Sequence, residues 1–169
     1  MRIKKSTIVT EVVFDNEMNN KFLLRKEWNL NKKKALVIMK KAGQANEMLL
    51  DRTTMYVMNN LSRLGYGGVN IVNLFPTVKG KETKEAIRGN LKCIQEAFES
   101  SDDVIIAVGK GVETNIKAIK RLKSILGKLL DKKAKIFEIE SNSGRKGFHP
   151  LYPELQNQWK LVPYSREKE

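Results

Sequence analysis

The sequence predicts an α/β fold of three layers, α/β/α, with a central, mostly parallel four-stranded sheet and an N-terminal β-hairpin. Two observations carry that expectation. Short continuous apolar runs alternate with stretches of helical periodicity, and each run stops at a glycine, a proline or a polar pair. Alternation of this kind gathers strands through right-handed crossovers into one sheet with helices on both faces.

The elements follow in chain order. Ser6 to Phe14 is β-branched and breaks at Asp15-Asn16, and Lys21 to Arg25 resumes an extended pattern, which predicts a hairpin or paired edge strands. Ala35-Leu36-Val37-Ile38-Met39 has the continuous apolar character of a strand buried on both faces. A helix is expected from about Asp51 to Leu64, with Val57, Leu61 and Leu64 at helical spacing and Gly65 as its stop. Val69 to Phe75 is a second buried strand, halted by Pro76. Ile87, Leu91, Ile94 and Phe98 mark the next helix, and Val104 to Val108 a third strand running into Gly109-Lys110-Gly111. A further helix carries Val112, Ile116, Ile119, Leu122, Leu126 and Leu129 inward, with Lys117, Lys120, Arg121, Lys123 and Lys128 on or near the wet side. Lys135 to Ile139 is the fourth strand. The chain reads as one domain over 1–169: a hairpin extension at 1–34, an α/β core at 35–155 and a fraying tail at 156–169.

Charge points to partners. Lys and Arg outnumber Asp and Glu by 32 to 19, a formal +13, and polyanions are the natural counterparts of such an excess. A generally basic, solvated surface is the plainer reading. No run approaches the roughly 18 apolar residues of a spanning helix, and Met1-Arg2-Ile3-Lys4-Lys5 leads into no apolar signal core. With Cys93 as the one cysteine, a reducing cytoplasm is the simplest compartment. One histidine and no compact carboxylate cluster argue against a metal site, and no cofactor motif is present.

Function is expected where the strands end, because open parallel sheets bind ligands beyond their carboxyl edge. Four loops meet there on this reading. Lys40-Lys41-Ala42-Gly43-Gln44-Ala45-Asn46 offers cations, amides and a flexible glycine, suited to phosphate or simply a solvated turn. Asn73 and Phe75 offer an amide and a ring able to read and stack on a base, although a buried Phe packing the sheet is the commoner arrangement. Gly109, Lys110 and Gly111 stand at the expected start of a helix, where free N–H groups favour anions. Arg145 and Lys146 precede His149, the sole histidine, which Pro150 and Tyr152 follow. Tyr152, Trp159 and Tyr164 bring aromatic rings near that end, with packing roles as the alternative.

Leu24-Arg25-Lys26-Glu27-Trp28, Leu36-Val37-Ile38, Asp51-Arg52-Thr53, Gly65-Tyr66-Gly67-Gly68, Asn73-Leu74-Phe75 and His149-Pro150-Leu151-Tyr152 occur in order between about Lys21 and Leu155. Together they resemble the bacterial and phage domain of unknown function numbered 1643. That resemblance implies no activity of its own. The order of elements, with a terminal His-Pro loop, is more distantly similar to the uracil-DNA glycosylase superfamily. This second resemblance implies base flipping, a first loop that positions the attacking water, a histidine that stabilises the uracil anion, and a segment entering the minor groove. By position it implies that His149 is that histidine, that Asn73 reads the base and that the chain after Pro150 inserts.

The first loop departs from the pattern. Where the family usually reads Gly-x-Asn-Pro-Ser-Thr-Ala, this chain has Met39-Lys40-Lys41-Ala42-Gly43-Gln44-Ala45, so Lys41 replaces the water-positioning Asn. An ammonium donates hydrogen bonds and cannot hold water as an acceptor. Either the ordinary chemistry is lost and binding kept, or Lys41 is an amine nucleophile. The leading expectation is a nucleic-acid-binding protein, DNA before RNA, on a glycosylase-like fold with a degenerate or altered site. Its alternatives are an active base glycosylase, a domain for a phosphate-bearing nucleotide, and a protein-binding decoy or inhibitor.

Overall fold

The computed structural model describes residues 1–130 and 135–165. Among them one mixed sheet of seven strands packs with three α-helices, in the order β1 (Val9–Phe14), β2 (Lys21–Glu27), β3 (Lys34–Lys41), α1 (Arg52–Arg63), β4 (Gly68–Phe75), α2 (Lys84–Glu99), β5 (Asp103–Ile106), α3 (Ile116–Leu130), β6 (Ile136–Glu140) and β7 (Lys160–Pro163). Across the sheet the order is β1-β2-β4-β3-β5-β6-β7. β3 pairs in parallel with β4 and with β5, and β5 with β6; β1, β2 and β7 join antiparallel.

Two corrections to the sequence reading concern the sheet edges. The hairpin is no appendage, because β2 lies between β1 and β4 with Phe22, Leu23 and Leu24 buried. Nor does the tail fray where it is described: β7 pairs with β6 from Glu140↔Lys160 to Phe137↔Pro163. Trp159 and Leu155 are buried, and the Trp159 indole N–H donates to the Leu155 carbonyl at 2.7 Å. Residues 166–169 of the expected tail lie outside the described residues.

Alternation along the strands divides the core in two. Leu36, Ile38, Val72, Leu74, Val104 and Ile106 pack with Ile94 and Ala97 of α2 and with Leu122, Ile125 and Leu126 of α3. Val37, Met39, Val69, Ile71 and Ile105 pack with Val57 and Leu61 of α1, joined by Leu155 and Trp159. Asp51 caps α1 by accepting from the Thr54 N–H at 2.7 Å, and Thr83 caps α2 by accepting from the Ala86 N–H at 3.1 Å. Ile116, expected to face inward, is 72% exposed, because helical spacing puts it nearly opposite the stripe of Ala118, Leu122, Ile125 and Leu129 that α3 buries. No helix among the described residues is long and apolar enough to cross a membrane.

The sequence motif Gly65-Tyr66-Gly67-Gly68 sits at the amino end of β4, the opposite edge from the strand-end loops. A Cβ on Gly67 would stand 1.9 Å from the Asn29 carbonyl oxygen, and the Gly67 carbonyl accepts from the N–H groups of both Trp28 and Asn29. Gly65, at φ +88°, ends α1 in the left-handed region. The Tyr66 hydroxyl donates to the buried Asp103 carboxylate at 2.9 Å. This cluster of glycines closes the base of the sheet and has a packing role.

Candidate functional site

β3 and β5 are neighbours, yet the chain leaves β3 toward α1 on one face and leaves β5 toward α3 on the other. Departing loops that diverge in this way open a crevice at the carboxyl ends of the two strands. A cavity of about 580 Å³ lies there, lined by Lys40, Lys41, Val108, Gly109, Lys110, Gly111, Phe148, His149 and Tyr152. Residues from three separate parts of the sequence therefore share one wall.

Because side chains alternate along β3, Lys40 and Lys41 leave the strand toward opposite faces. The Lys40 ammonium donates to the Gly111 carbonyl at 2.9 Å, tying the first loop to the third. Lys41 is exposed, and its ammonium makes no hydrogen bond or ion pair among the described residues. Lys110 pairs with Glu113 at 3.1 Å and its ammonium stands 5.7 Å from the Phe148 ring centroid. Phe148 and Tyr152 stack at 4.0 Å with an interplanar angle of 8°.

His149 is half-buried behind these groups. Its Nδ1 accepts from the Leu151 N–H at 3.2 Å, so a neutral ring carries its proton on Nε2. Burial holds its pKa below the usual histidine value, with the Asp51 carboxylate acting in the opposite direction. Gly109 makes room for it: at φ +79°, a Cβ there would stand 3.0 Å from the His149 Cβ. Among the described residues no carboxylate lines the cavity, which offers cations, one imidazole and aromatic faces.

Several residues singled out in the sequence lie elsewhere. Asn73 is 3% exposed, its carbonyl accepts from Asn90 at 2.8 Å, and it does not line the cavity. Phe75 is covered by the Arg121 guanidinium at 4.5 Å and by Lys117, which occupy the face a base would use. The Asn46 side chain is spent on its own turn, accepting from Met48 and Leu49, and Gly43 packs against Asp51. Gln44 is exposed outside the lining. Arg145 reaches the Tyr152 hydroxyl at 3.4 Å and Lys146 approaches Glu138 at 4.0 Å, so both support the histidine loop from outside. Pro150 is buried. Gly109, Lys110 and Gly111 do line the cavity, but they lead only into the short 3-10 turn Lys110–Val112; α3 starts at Ile116, capped by Asn115. The helix start expected at that loop therefore comes later in the chain, at Ile116.

Two residues that the sequence analysis placed on elements but not in the site organise it. Lys21, 4% exposed on β2, donates to the carbonyls of Gly43 at 2.7 Å and Ala45 at 2.6 Å. Asp51 accepts from the Ala45 N–H at 3.2 Å while capping α1, and its charge acts on both Lys21 and His149. The cap pattern before a helix could have marked Asp51; a lysine in a strand carries no local sign of being buried.

A family model described as a protein of unknown function (DUF1643) matches residues 21–151, which span β2 through the histidine loop. No curated protein matches the chain, and no solved structure does. Among the described residues no group of three His, Cys, Asp or Glu side chains is placed to hold a metal ion.

Proposed function

The chain belongs to the DUF1643 family, and we propose that it binds nucleic acid, with a nucleotide lodged in the cleft between β3, β5 and the histidine loop. The observation that carries the reading is the convergence of Lys40, Lys41 and Lys110 on the same cavity as His149 and the stacked Phe148–Tyr152 pair. Cations there neutralise phosphates, the rings offer faces to a base, and a neutral His149 has one N–H to donate to a base carbonyl or phosphate oxygen. The formal +13 favours a polyanion over an isolated small ligand. DNA is the partner implied by the glycosylase resemblance, and the layering of that superfamily is the finer fold assignment within this proposal.

The ordinary glycosylase reaction is the part we regard as lost. It needs an acceptor to orient water, and Lys41 at that position has only N–H groups to offer while it is charged. The cavity volume of about 580 Å³ favours one second reading, a free phosphate-bearing nucleotide in the same site.

Fluorescence anisotropy with labelled single- and double-stranded DNA across a salt series tests the proposal. Binding that weakens as salt rises, and weakens further in Lys40→Ala/Lys110→Ala, supports it; absence of binding at low salt ends it. Saturation by a mononucleotide that displaces no DNA favours the second reading. Abasic sites released from a uracil-containing duplex, abolished in His149→Ala, would restore the catalytic reading.

A further inference from the structure

On the face of the sheet away from α1, a second cavity of about 270 Å³ lies between α2 and α3. It shares no residue with the histidine cleft. Its walls are apolar: Ile87 and Leu91, one turn apart on α2, line it together with Ile125 of α3 and Leu74 of β4.

The polar groups around those walls fall into two sets. Arg121 and Lys117 are committed, since the guanidinium donates to the Leu74 carbonyl at 2.9 Å and to Glu82 at 2.6 Å, and the Lys117 ammonium to the same carboxylate at 2.7 Å. Lys120, Ser124 and Asn90 have capacity left. Lys120 and Ser124 are exposed and one turn apart on α3, and neither the ammonium nor the hydroxyl makes a hydrogen bond or ion pair among the described residues. Asn90 is 4% exposed. Its amide N–H donates to the Asn73 carbonyl at 2.8 Å, which leaves its Oδ1 with no partner among the described residues. Buried acceptors are rarely left so. A water lodged there needs about two to four polar partners, and the apolar walls supply none beyond this one.

From its buried floor to its exposed mouth the cavity therefore offers an acceptor, an apolar wall, and a cation beside a hydroxyl. The complement is a donor, an apolar body and an acid. One free ammonium is a poor match for a polyanion, whose phosphates find three lysines in the other cleft. At about 270 Å³ the cavity also falls below the roughly 300–1,000 Å³ of sites for drug-sized ligands, so its occupant is small.

We propose that this cavity is a second binding site, for a small apolar-bodied carboxylic acid with an O–H or N–H at its far end. The carboxylate meets Lys120 and Ser124, the body lies against Leu74, Leu91 and Ile125, and the donor end turns toward Asn90. This site goes beyond the nucleic-acid reading and does not rest on it.

The test titrates the full chain with 4-hydroxyphenylacetate, followed by amide chemical shifts and calorimetry. Saturable binding with shifts gathered at residues 87–91 and 120–125 is expected. Phenylacetate, which lacks the donor, and 4-hydroxyphenethyl alcohol, which lacks the acid, should each bind about tenfold more weakly or worse. Lys120→Glu and Ser124→Trp change exposed positions that the fold does not depend on, and each should remove most of the affinity. Absence of saturation, equal affinity for the three compounds, or unchanged binding by Ser124→Trp overturns the site. Shifts gathered instead at residues 40–41 and 148–152 place the acid in the histidine cleft and overturn it as well. No readout here involves DNA, so this proposal and the nucleic-acid reading fail separately.

Discussion

The Cβ of His149 stands 3.0 Å from where a side chain on Gly109 would begin, so the third loop can carry no side chain beneath the histidine. The backbone there is also left-handed, at φ +79°, a conformation that L side chains resist. Gly109→Ala should therefore cost about 1–2 kcal/mol and displace His149 from its bond to the Leu151 N–H. Urea denaturation reads the first effect and DNA anisotropy the second. A variant of unchanged stability and affinity would show that the histidine loop is not held by this contact.

Lys21 joins β2 to the first loop through two carbonyls. Lys21→Met keeps the length of the side chain but leaves those acceptors without their charged donor. A loss of about 2 kcal/mol is expected, from the hydrogen bonds of a charged group. Faster amide exchange confined to residues 43–49, together with weaker DNA binding, would identify Lys21 as the anchor of that loop. Exchange that speeds up evenly across the sheet would assign it a general packing role instead.

His149 supplies a pH dependence whose sign is fixed by burial. Its folded pKa lies below the ordinary histidine value, so below about pH 6.5 the unfolded chain takes up a proton more readily than the folded one. Stability should fall as pH drops through that window, down to the folded pKa. His149→Gln should flatten this part of the profile. Denaturant midpoints between pH 5 and pH 8 decide it, and an identical slope in the variant would refute the assignment.

At the other end of the sheet, Tyr66 donates to Asp103, whose carboxylate is 4% exposed and otherwise meets Lys33 at 3.4 Å. Burial, and then this bond, hold the Tyr66 pKa well above the usual phenol value. Tyr66 should remain un-ionised in a spectrophotometric titration taken to about pH 10, where a free phenol is half ionised. Tyr66→Phe should cost about 1–2 kcal/mol by removing the donor from a buried carboxylate. DNA binding should be unaffected, because the contact lies away from the cleft.

Much of the site was legible because strand ends are local signals. Lys40, Lys41, Gly109, Lys110, Gly111 and His149 each follow an apolar run directly or by a short loop, and all of them line one cavity. Asn73 and Phe75 satisfy the same local rule and do not belong to it. Asn73 is buried beside Asn90, and Phe75 lies under Arg121, a residue 46 positions later in the chain that is itself held by Glu82. Nothing in the residues around Phe75 announces that cover. The buried role of Lys21 was equally hidden, since it depends on two carbonyls more than twenty residues away.

By itself the sequence located the strands β1 to β6 and the three helices, though not β7, because apolar periodicity, caps and glycine stops act within a few residues. It also placed His149 beyond a strand and showed the excess of positive charge. Only the tertiary structure decided the order β1-β2-β4-β3-β5-β6-β7, the capture of the C-terminal segment as β7, and the crevice between β3 and β5. Strand pairing is settled by which faces bury most area together, a sum over distant residues. A local pattern can name the strands but cannot compare their possible neighbours.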